Sequence, residues 1–143
     1  MDTRPGFETA AAAEVAFYAA FETRDLPAMR AVWSQAEDTV CIHPSGPCLR
    51  GWSAIGRSWE QIFSGLGEVR FVLDATVVHE DGAVSVRFAH ENIHHGPGFT
   101  GQSRVFATNV YRQEAGGWRM VSHHGSPGGV VREPDAGASS SRH

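Results

Sequence analysis

The chain has 143 residues, of which 41% are hydrophobic and 20% are charged, and its formal net charge is −4 at pH 7. This composition is typical of one globular domain that needs neither a disulfide nor a metal ion to fold. The acidic balance and the lack of a basic run argue against nucleic acid or an anionic membrane surface as a partner.

Two features of the sequence bear on its location. The apolar stretch Ala10–Phe21 is interrupted by Glu14 and preceded by Glu8, where a signal peptide would carry basic residues. No run approaches the ~18 apolar residues of a membrane span. Cys41 and Cys48 are too few for a disulfide framework, and we expect them to be free thiols. We therefore expect a cytoplasmic protein.

The first half of the chain predicts three helices. Apolar residues recur there at helical spacing, and alanine, a strong helix former, fills the gaps. Asp25 is expected to cap the second helix, and Ser53 is expected to cap the third. The predicted helices are Phe7–Thr23, a short helix that follows Asp25 and ends near Gln35, and Trp52–Phe63.

Strands dominate the second half of the chain. The β-branched run Thr39–His43 predicts a first strand, which ends at a turn rich in proline and glycine. Four more strands are predicted, with Asp81-Gly82 as a strong hairpin signal between the first two. They are Val69–Glu80, Ala83–His95, Gln102–Glu114 and Trp118–Ser126. Because strands of about 12 residues twist strongly, this sheet is expected to curl around the helices.

The order of these elements predicts an α+β domain, a cone in which three N-terminal helices pack on a strongly curved, mostly antiparallel sheet. The open mouth of such a cone is where a small ligand is expected to bind. We assign residues 7–127 to this domain and residues 1–6 to a flexible lead-in. Residues 128–143 are expected to be a disordered tail, because they offer little apolar surface.

His43 is the leading candidate for a functional residue, because it ends the first strand and would face the cone. Its ring either bonds a backbone carbonyl or exchanges protons with a ligand, since histidine titrates near neutral pH. Asn109 shares a strand face with buried positions, and a buried asparagine needs partners. His123 and His124 are adjacent on a strand, so only one of them faces the interior.

The tryptophans and the remaining histidines support weaker hypotheses. Trp33 and Trp59 lie at helical positions and are either core residues or walls of a pocket, and Trp59 is the preferred wall. The histidines of the strand Ala83–His95 do not form a zinc motif. We therefore predict no metal site and no cofactor.

Several motifs make the chain similar to the nuclear-transport-factor-2-like superfamily, and within it to the SnoaL-like and ketosteroid isomerase-like group. These motifs are Asp25-Leu26-Pro27-Ala28-Met29, Val32-Trp33, His43-Pro44-Ser45-Gly46, Gly51, Ile55 and Trp59. The end of the chain also resembles the association domain of calcium/calmodulin-dependent kinase II. That resemblance is carried by Thr108-Asn109-Val110-Tyr111, Trp118-Arg119-Met120-Val121, His124 and Ser126.

The resemblance implies roles for individual residues. His43 matches the general-base aspartate of the isomerases, and Asn109 matches their second oxyanion donor. Phe17 matches the position of their oxyanion-binding tyrosine, with Tyr18 one residue away. The resemblance also selects His124 as the histidine that faces inward. The implied pocket wall consists of Phe17, Tyr18, Trp33, Trp59, Met120 and Ser122.

The resemblance leaves two functions open. One is a cofactor-free isomerase, cyclase or dehydratase that acts next to a carbonyl, with His43, Asn109 and His124 as catalytic residues. Its substrate would be a small apolar molecule that bears a carbonyl or carboxylate. The other is a non-catalytic ligand-binding or association domain. Either is expected to form a homodimer through the outer sheet face. The candidate residues of that face are Val78, Val86, Phe88 and Phe106.

Overall fold

The computed structural model describes Asp2 and residues 4–128. The helices are α1 (Ala10–Thr23), α2 (Leu26–Val32) and α3 (Gly51–Gly65), with a short 3-10 turn at Pro97–Phe99. The strands are β1 (Val40–Ile42), β2 (Cys48–Arg50), β3 (Val69–Asp81), β4 (Val84–His95), β5 (Gly101–Glu114) and β6 (Gly117–Pro127). The predicted α+β class is confirmed, and the predicted tail lies outside the described residues except for Gly128.

All six strands form one sheet in the order β2-β1-β6-β5-β4-β3. Every neighbouring pair is antiparallel except β1 with β6, which is parallel. The sequence analysis missed β2, because Cys48–Arg50 is only three residues long and is mostly exposed. Two register shifts, between Asp74 and Val77 and between Val110 and Tyr111, add local bends to the long strands.

The first of these bulges changes the face on which part of β3 lies. Beyond it, Val78 stands opposite Arg87, which stands opposite the buried Asn109. Directly opposed residues share a face of a sheet. Val78 therefore lies on the inner face, and its predicted place on the outer face is wrong.

The first helix begins later than predicted and is well capped. The Thr9 hydroxyl accepts a hydrogen bond from the Ala12 amide at 3.0 Å, so α1 starts at Ala10. Phe7 instead pairs with Trp118 in an extended bridge. Gly6, placed in the predicted lead-in, donates its amide to the Gly116 carbonyl at 2.8 Å.

The second helix confirms its predicted cap, whereas the third does not. The Asp25 carboxylate accepts from the Ala28 amide at 3.0 Å. Trp33 leaves the helix because it is extended and bridges to Met120. The prediction of Ser53 as a cap is wrong, because α3 starts at Gly51 and Arg50 occupies the cap position without a side-chain bond.

The two cysteines lie on opposite sides of the sheet. Cys41 is buried and Cys48 is exposed, and both are free thiols. Cys48 stands opposite Ile42 rather than opposite Cys41, so the two side chains point to different faces. No helix in the described part of the chain is both long and apolar enough to cross a bilayer.

We expect Asp25→Ala to lower the free energy of unfolding by about 1 kcal/mol, because the first turn of α2 loses its cap. Asp25→Asn keeps an acceptor oxygen and is expected to cost much less. Urea denaturation followed by circular dichroism measures both. Equal losses in the two variants would contradict the capping role.

Candidate functional site

His43 lies directly after β1, at the rim of the cone. A turn holds the chain there, in which the Gly46 amide donates to the His43 carbonyl at 2.8 Å. Cys41 is buried on the inner face, and alternation along the strand brings the His43 ring to the same side. The ring is half-buried and packs edge-to-face on Trp59, with ring centroids 4.7 Å apart. The sequence therefore predicted its inward direction correctly.

Two side chains contact the His43 ring through the same nitrogen. Nε2 lies 2.9 Å from the Ser58 Oγ on α3 and 3.6 Å from the Cys41 Sγ. Burial lowers the pKa of His43, because desolvation disfavours the charged ring. The imidazole is thus neutral at pH 7 and has a lone pair to accept a proton.

The inward histidine of β6 is His123, so the prediction of His124 is wrong. His123 is 2% exposed, whereas His124 is exposed. The cause is the second bulge. Val110 stands opposite Ser122 and Tyr111 opposite Met120, which leaves Val121 as an extra residue. The extra residue reverses the alternation of β6 beyond it.

The same reversal moves Ser122 out of the predicted pocket wall. Ser122 stands opposite Val110 on the outer face and is half-buried. Met120 precedes the bulge, stays inside and is fully buried. His124 and Ser122 therefore lie on the face opposite His43.

Four buried side chains form one continuous hydrogen-bonded network. Tyr18 donates its hydroxyl to the Glu91 carboxyl at 2.6 Å. Asn109 donates its amide to the Tyr18 hydroxyl at 3.0 Å, and its carbonyl oxygen lies 2.6 Å from the His123 Nδ1. Asn109 is 0% exposed, and the network satisfies both of its polar atoms. We call Glu91, Tyr18, Asn109 and His123 the buried network.

Burial changes the protonation of the network. It raises the pKa of Glu91 from its ordinary 4.5 to about 7, partly opposed by the bond from Tyr18 and increased by the charge of Glu14. It lowers the pKa of His123 to about 3, since its charged form would be fully desolvated. The pKa of the Tyr18 hydroxyl is raised, also by burial first. At pH 7, Tyr18 and His123 are neutral and Glu91 is partly protonated.

Glu91 is the member of the network that the sequence analysis missed. It lies on the same face of β4 as the buried Ser85 and Ala89. A carboxyl on a buried face needs a hydrogen-bond partner, so its position indicates a specific buried contact. Glu14, on the same side of α1 as Tyr18, accepts from the Arg87 Nε at 3.1 Å. Inside the cone, the Glu91 carboxyl is thus bonded to Tyr18, and the Glu14 carboxyl is bonded to Arg87.

The His43 ring lies next to the buried network, with its centroid 6.3 Å from that of His123, and aromatic rings pack around both histidines. Phe17 packs against His123 with centroids 5.0 Å apart and against Trp59 at 5.7 Å. Phe17, Trp33 and Trp59 are all fully buried, so these predicted wall residues belong to the core. The His43 ring, by contrast, is half-buried and reaches the surface.

A depression in the described surface lies elsewhere, between α2 and α3. It has a volume of about 410 Å³ and is lined by Leu26, Pro27, Arg30, Trp52, Ser53, Gly56, Arg57 and Glu60. His43 does not line it. Within the described part of the chain, no three side chains of His, Cys, Asp or Glu are grouped to hold a metal ion.

The model of the SnoaL-like domain family matches residues 11–129. The chain belongs to the SnoaL-like family. Among curated proteins it is 30% identical over 112 residues to the F-box protein SKIP8 of Arabidopsis thaliana, covering 77% of this chain. The chain spans about half of that relative, 46% of its length.

Two crystal structures are similar over most of their length. One is a proposed association domain of calcium/calmodulin-dependent protein kinase type II from Thiobacillus denitrificans, with 41% identity and a TM-score of 0.81. The similarity covers 87% of this chain and 98% of that one. The other is a proposed dehydratase of the nuclear-transport-factor-2-like family from Streptomyces avermitilis, with 30% identity and a TM-score of 0.74. It covers 85% and 94% of the two chains. The resemblance predicted from sequence is confirmed.

Glu91 predicts a pH dependence of stability that Glu91→Gln should remove. Its pKa is higher in the folded state, so the folded protein binds more protons between pH 4.5 and 7 and its stability falls as pH rises. The free energy of unfolding of the glutamine variant should therefore rise relative to that of wild type as the pH increases across this window. The expected rise is roughly 3 kcal/mol, at about 1.4 kcal/mol per pKa unit.

Urea denaturation of both proteins from pH 4.5 to 8 measures this difference. Glu80→Gln is the matched control, because Glu80 is exposed. A difference between wild type and Glu91→Gln that does not change with pH would contradict the shifted carboxyl.

Proposed function

We propose that this protein is a small-molecule enzyme that performs cofactor-free acid–base chemistry next to a carbonyl, with His43 as the proton-transfer residue. The observation that carries the proposal is the state of His43, a half-buried ring at the rim that is neutral at pH 7. A neutral imidazole takes up a proton at physiological pH, whereas a ring in the deep interior stays unprotonated.

The substrate would be a small, partly apolar molecule that bears a carbonyl or a carboxylate. Trp59 packs on His43 and also on Phe63, with centroids 5.6 Å apart, and Phe63 is half-buried. These rings supply an apolar surface next to the base. His43 would remove a proton next to the carbonyl, and its return at another atom completes an isomerisation, cyclisation or dehydration.

The buried network would act behind the reacting groups. Both polar atoms of the Asn109 side chain form hydrogen bonds, one with Tyr18 and one with His123. Asn109 would therefore position His123 rather than contact a substrate. Glu91, which is 2% exposed and bonded to the Tyr18 hydroxyl, would hold the network in place rather than exchange protons with a substrate. The Streptomyces avermitilis protein, described as a proposed dehydratase, supports this class of reaction.

A second candidate function is a non-catalytic ligand-binding or association domain. The packed interior favours it, because aromatic rings surround His43 and His123 and leave little free space for a substrate inside the cone. The similarity to the proposed association domain from Thiobacillus denitrificans supports it as well.

We expect His43→Gln to abolish turnover on a panel of enolisable ketones and hydroxy acids, because glutamine cannot take up the proton. His79→Gln, an exposed histidine on β3, is the control and should retain the rate. Proton exchange into substrate followed by NMR in deuterated water gives the readout. If wild type shows no turnover and His43→Gln changes nothing, the association function is favoured.

We further propose a homodimer that pairs through the outer sheet face. Three valines and one phenylalanine on that face are between 38% and 50% exposed, which is unusual for a monomeric domain. They are Val72, Val77, Val84 and Phe106, and the half-buried Val86, Phe88 and Val110 lie beside them.

The free thiols of Cys41 and Cys48 are consistent with a cytoplasmic setting.

Phe106→Glu should convert this dimer to a monomer, because a desolvated carboxylate in an apolar interface has no partner. Val15→Glu is the control, since Val15 on α1 is 72% exposed on the helical side of the molecule. Analytical ultracentrifugation measures both masses. A monomeric wild type, or a dimer that survives Phe106→Glu and dissociates with Val15→Glu, would contradict the outer-face interface.

A further inference from the structure

We propose that Ser58 is a positioning residue that holds His43 as the tautomer with its proton on Nε2, which leaves Nδ1 as the proton-accepting atom. The role of Nδ1 in a reaction rests on the proposed function, but the tautomer does not. Nothing in the sequence motifs or in the family resemblance assigned a role to Ser58.

The Ser58 hydroxyl has a single proton to donate. Its Oγ lies 2.6 Å from the Ile55 carbonyl oxygen one turn earlier in α3. Two oxygens at this distance repel unless a proton lies between them, and a carbonyl has none to give. The Ser58 proton is therefore donated to Ile55, and its Oγ is left as an acceptor.

Because the Ser58 Oγ can only accept, it determines which nitrogen of His43 carries the proton. Nε2 lies 2.9 Å from that Oγ, so Nε2 must carry the hydrogen of this bond. The ring is neutral at pH 7 and has only one N–H, so Nδ1 carries the lone pair. In the described part of the chain, no side chain forms a hydrogen bond with Nδ1.

Cys41 does not compete for this arrangement. Its Sγ lies 3.6 Å from the same Nε2, a long contact. Burial raises the pKa of the Cys41 thiol to about 12, so it stays protonated and is no nucleophile. The pair of Cys41 and His43 is thus not a thiolate–imidazolium couple, and Ser58 sets the ring.

The Ser58 hydroxyl keeps its own proton during the whole proton-transfer step. Nδ1 takes the proton from the carbon next to the carbonyl, and the electron pair of that C–H bond moves into an enolate. The ring becomes an imidazolium whose Nε2–H still donates to Ser58. That bond strengthens when the ring is charged, which partly offsets the desolvation that lowers the pKa. Nδ1 then gives its proton to another atom of the same substrate.

Ring ¹⁵N NMR of histidine-labelled protein tests the tautomer directly, with the His43 signal assigned by its loss in His43→Gln. The wild type should show a protonated Nε2 and an unprotonated Nδ1. Ser58→Ala should move both shifts toward a mixture of tautomers and lower the His43 pKa further. Ser64→Ala is the matched control, because Ser64 bonds the Gln61 carbonyl at 2.9 Å in the same way but is exposed.

A wild-type ring protonated on Nδ1, or shifts that Ser58→Ala leaves unchanged, would overturn the inference. Where the substrate panel shows turnover, Ser58→Ala should lower kcat on the order of tenfold with KM little changed. Ser58→Thr, which keeps the hydroxyl, should restore it. Absent turnover together with the expected tautomer would remove the proposed function and leave the role of Ser58 standing.

Discussion

The packing of α1 on the sheet depends on one set of buried hydrogen bonds, those of the Tyr18 hydroxyl. Tyr18 projects from α1 onto the sheet, where its hydroxyl donates to Glu91 of β4 and accepts from the Asn109 amide of β5. A buried donor or acceptor left alone costs about 1–3 kcal/mol. These bonds therefore fix the rotation of α1 on the sheet. With Tyr18 held against the strands, Phe17 turns into the aromatic core beside Trp59.

Local chemistry was sufficient to predict the three helices and the four long strands, since each of them carries its own signals. The cap at Asp25 and the hairpin at Asp81-Gly82 are decided by residues next to them in the chain. The short strand β2 and the start of α3 are decided by tertiary contacts, so no local pattern indicated them. The bulge after Val110 belongs to the same class. One extra residue there exchanges His123 for His124 on the inner face.

The candidate site divides in the same way. The inward direction of His43 follows from alternation along β1 and from the turn after it, which the sequence shows. Its partner Ser58 lies fifteen residues later on α3, and their contact depends on how that helix packs. Glu91 was visible as a carboxyl on a buried strand face, but its partner Tyr18 is 73 residues away. Side-chain networks across elements are beyond what periodicity indicates.

Two histidines in one cone illustrate how depth sets chemistry. His123 is enclosed on all sides, its pKa is held near 3, and it is confined to neutral hydrogen bonding. The His43 ring lies next to it, with centroids 6.3 Å apart, but is only half-buried, and desolvation lowers its pKa as well. Relatives with this fold carry names as different as dehydratase and association domain. Because the scaffold is common to both, the fold alone does not decide between these functions, and the side chains at each site must be compared.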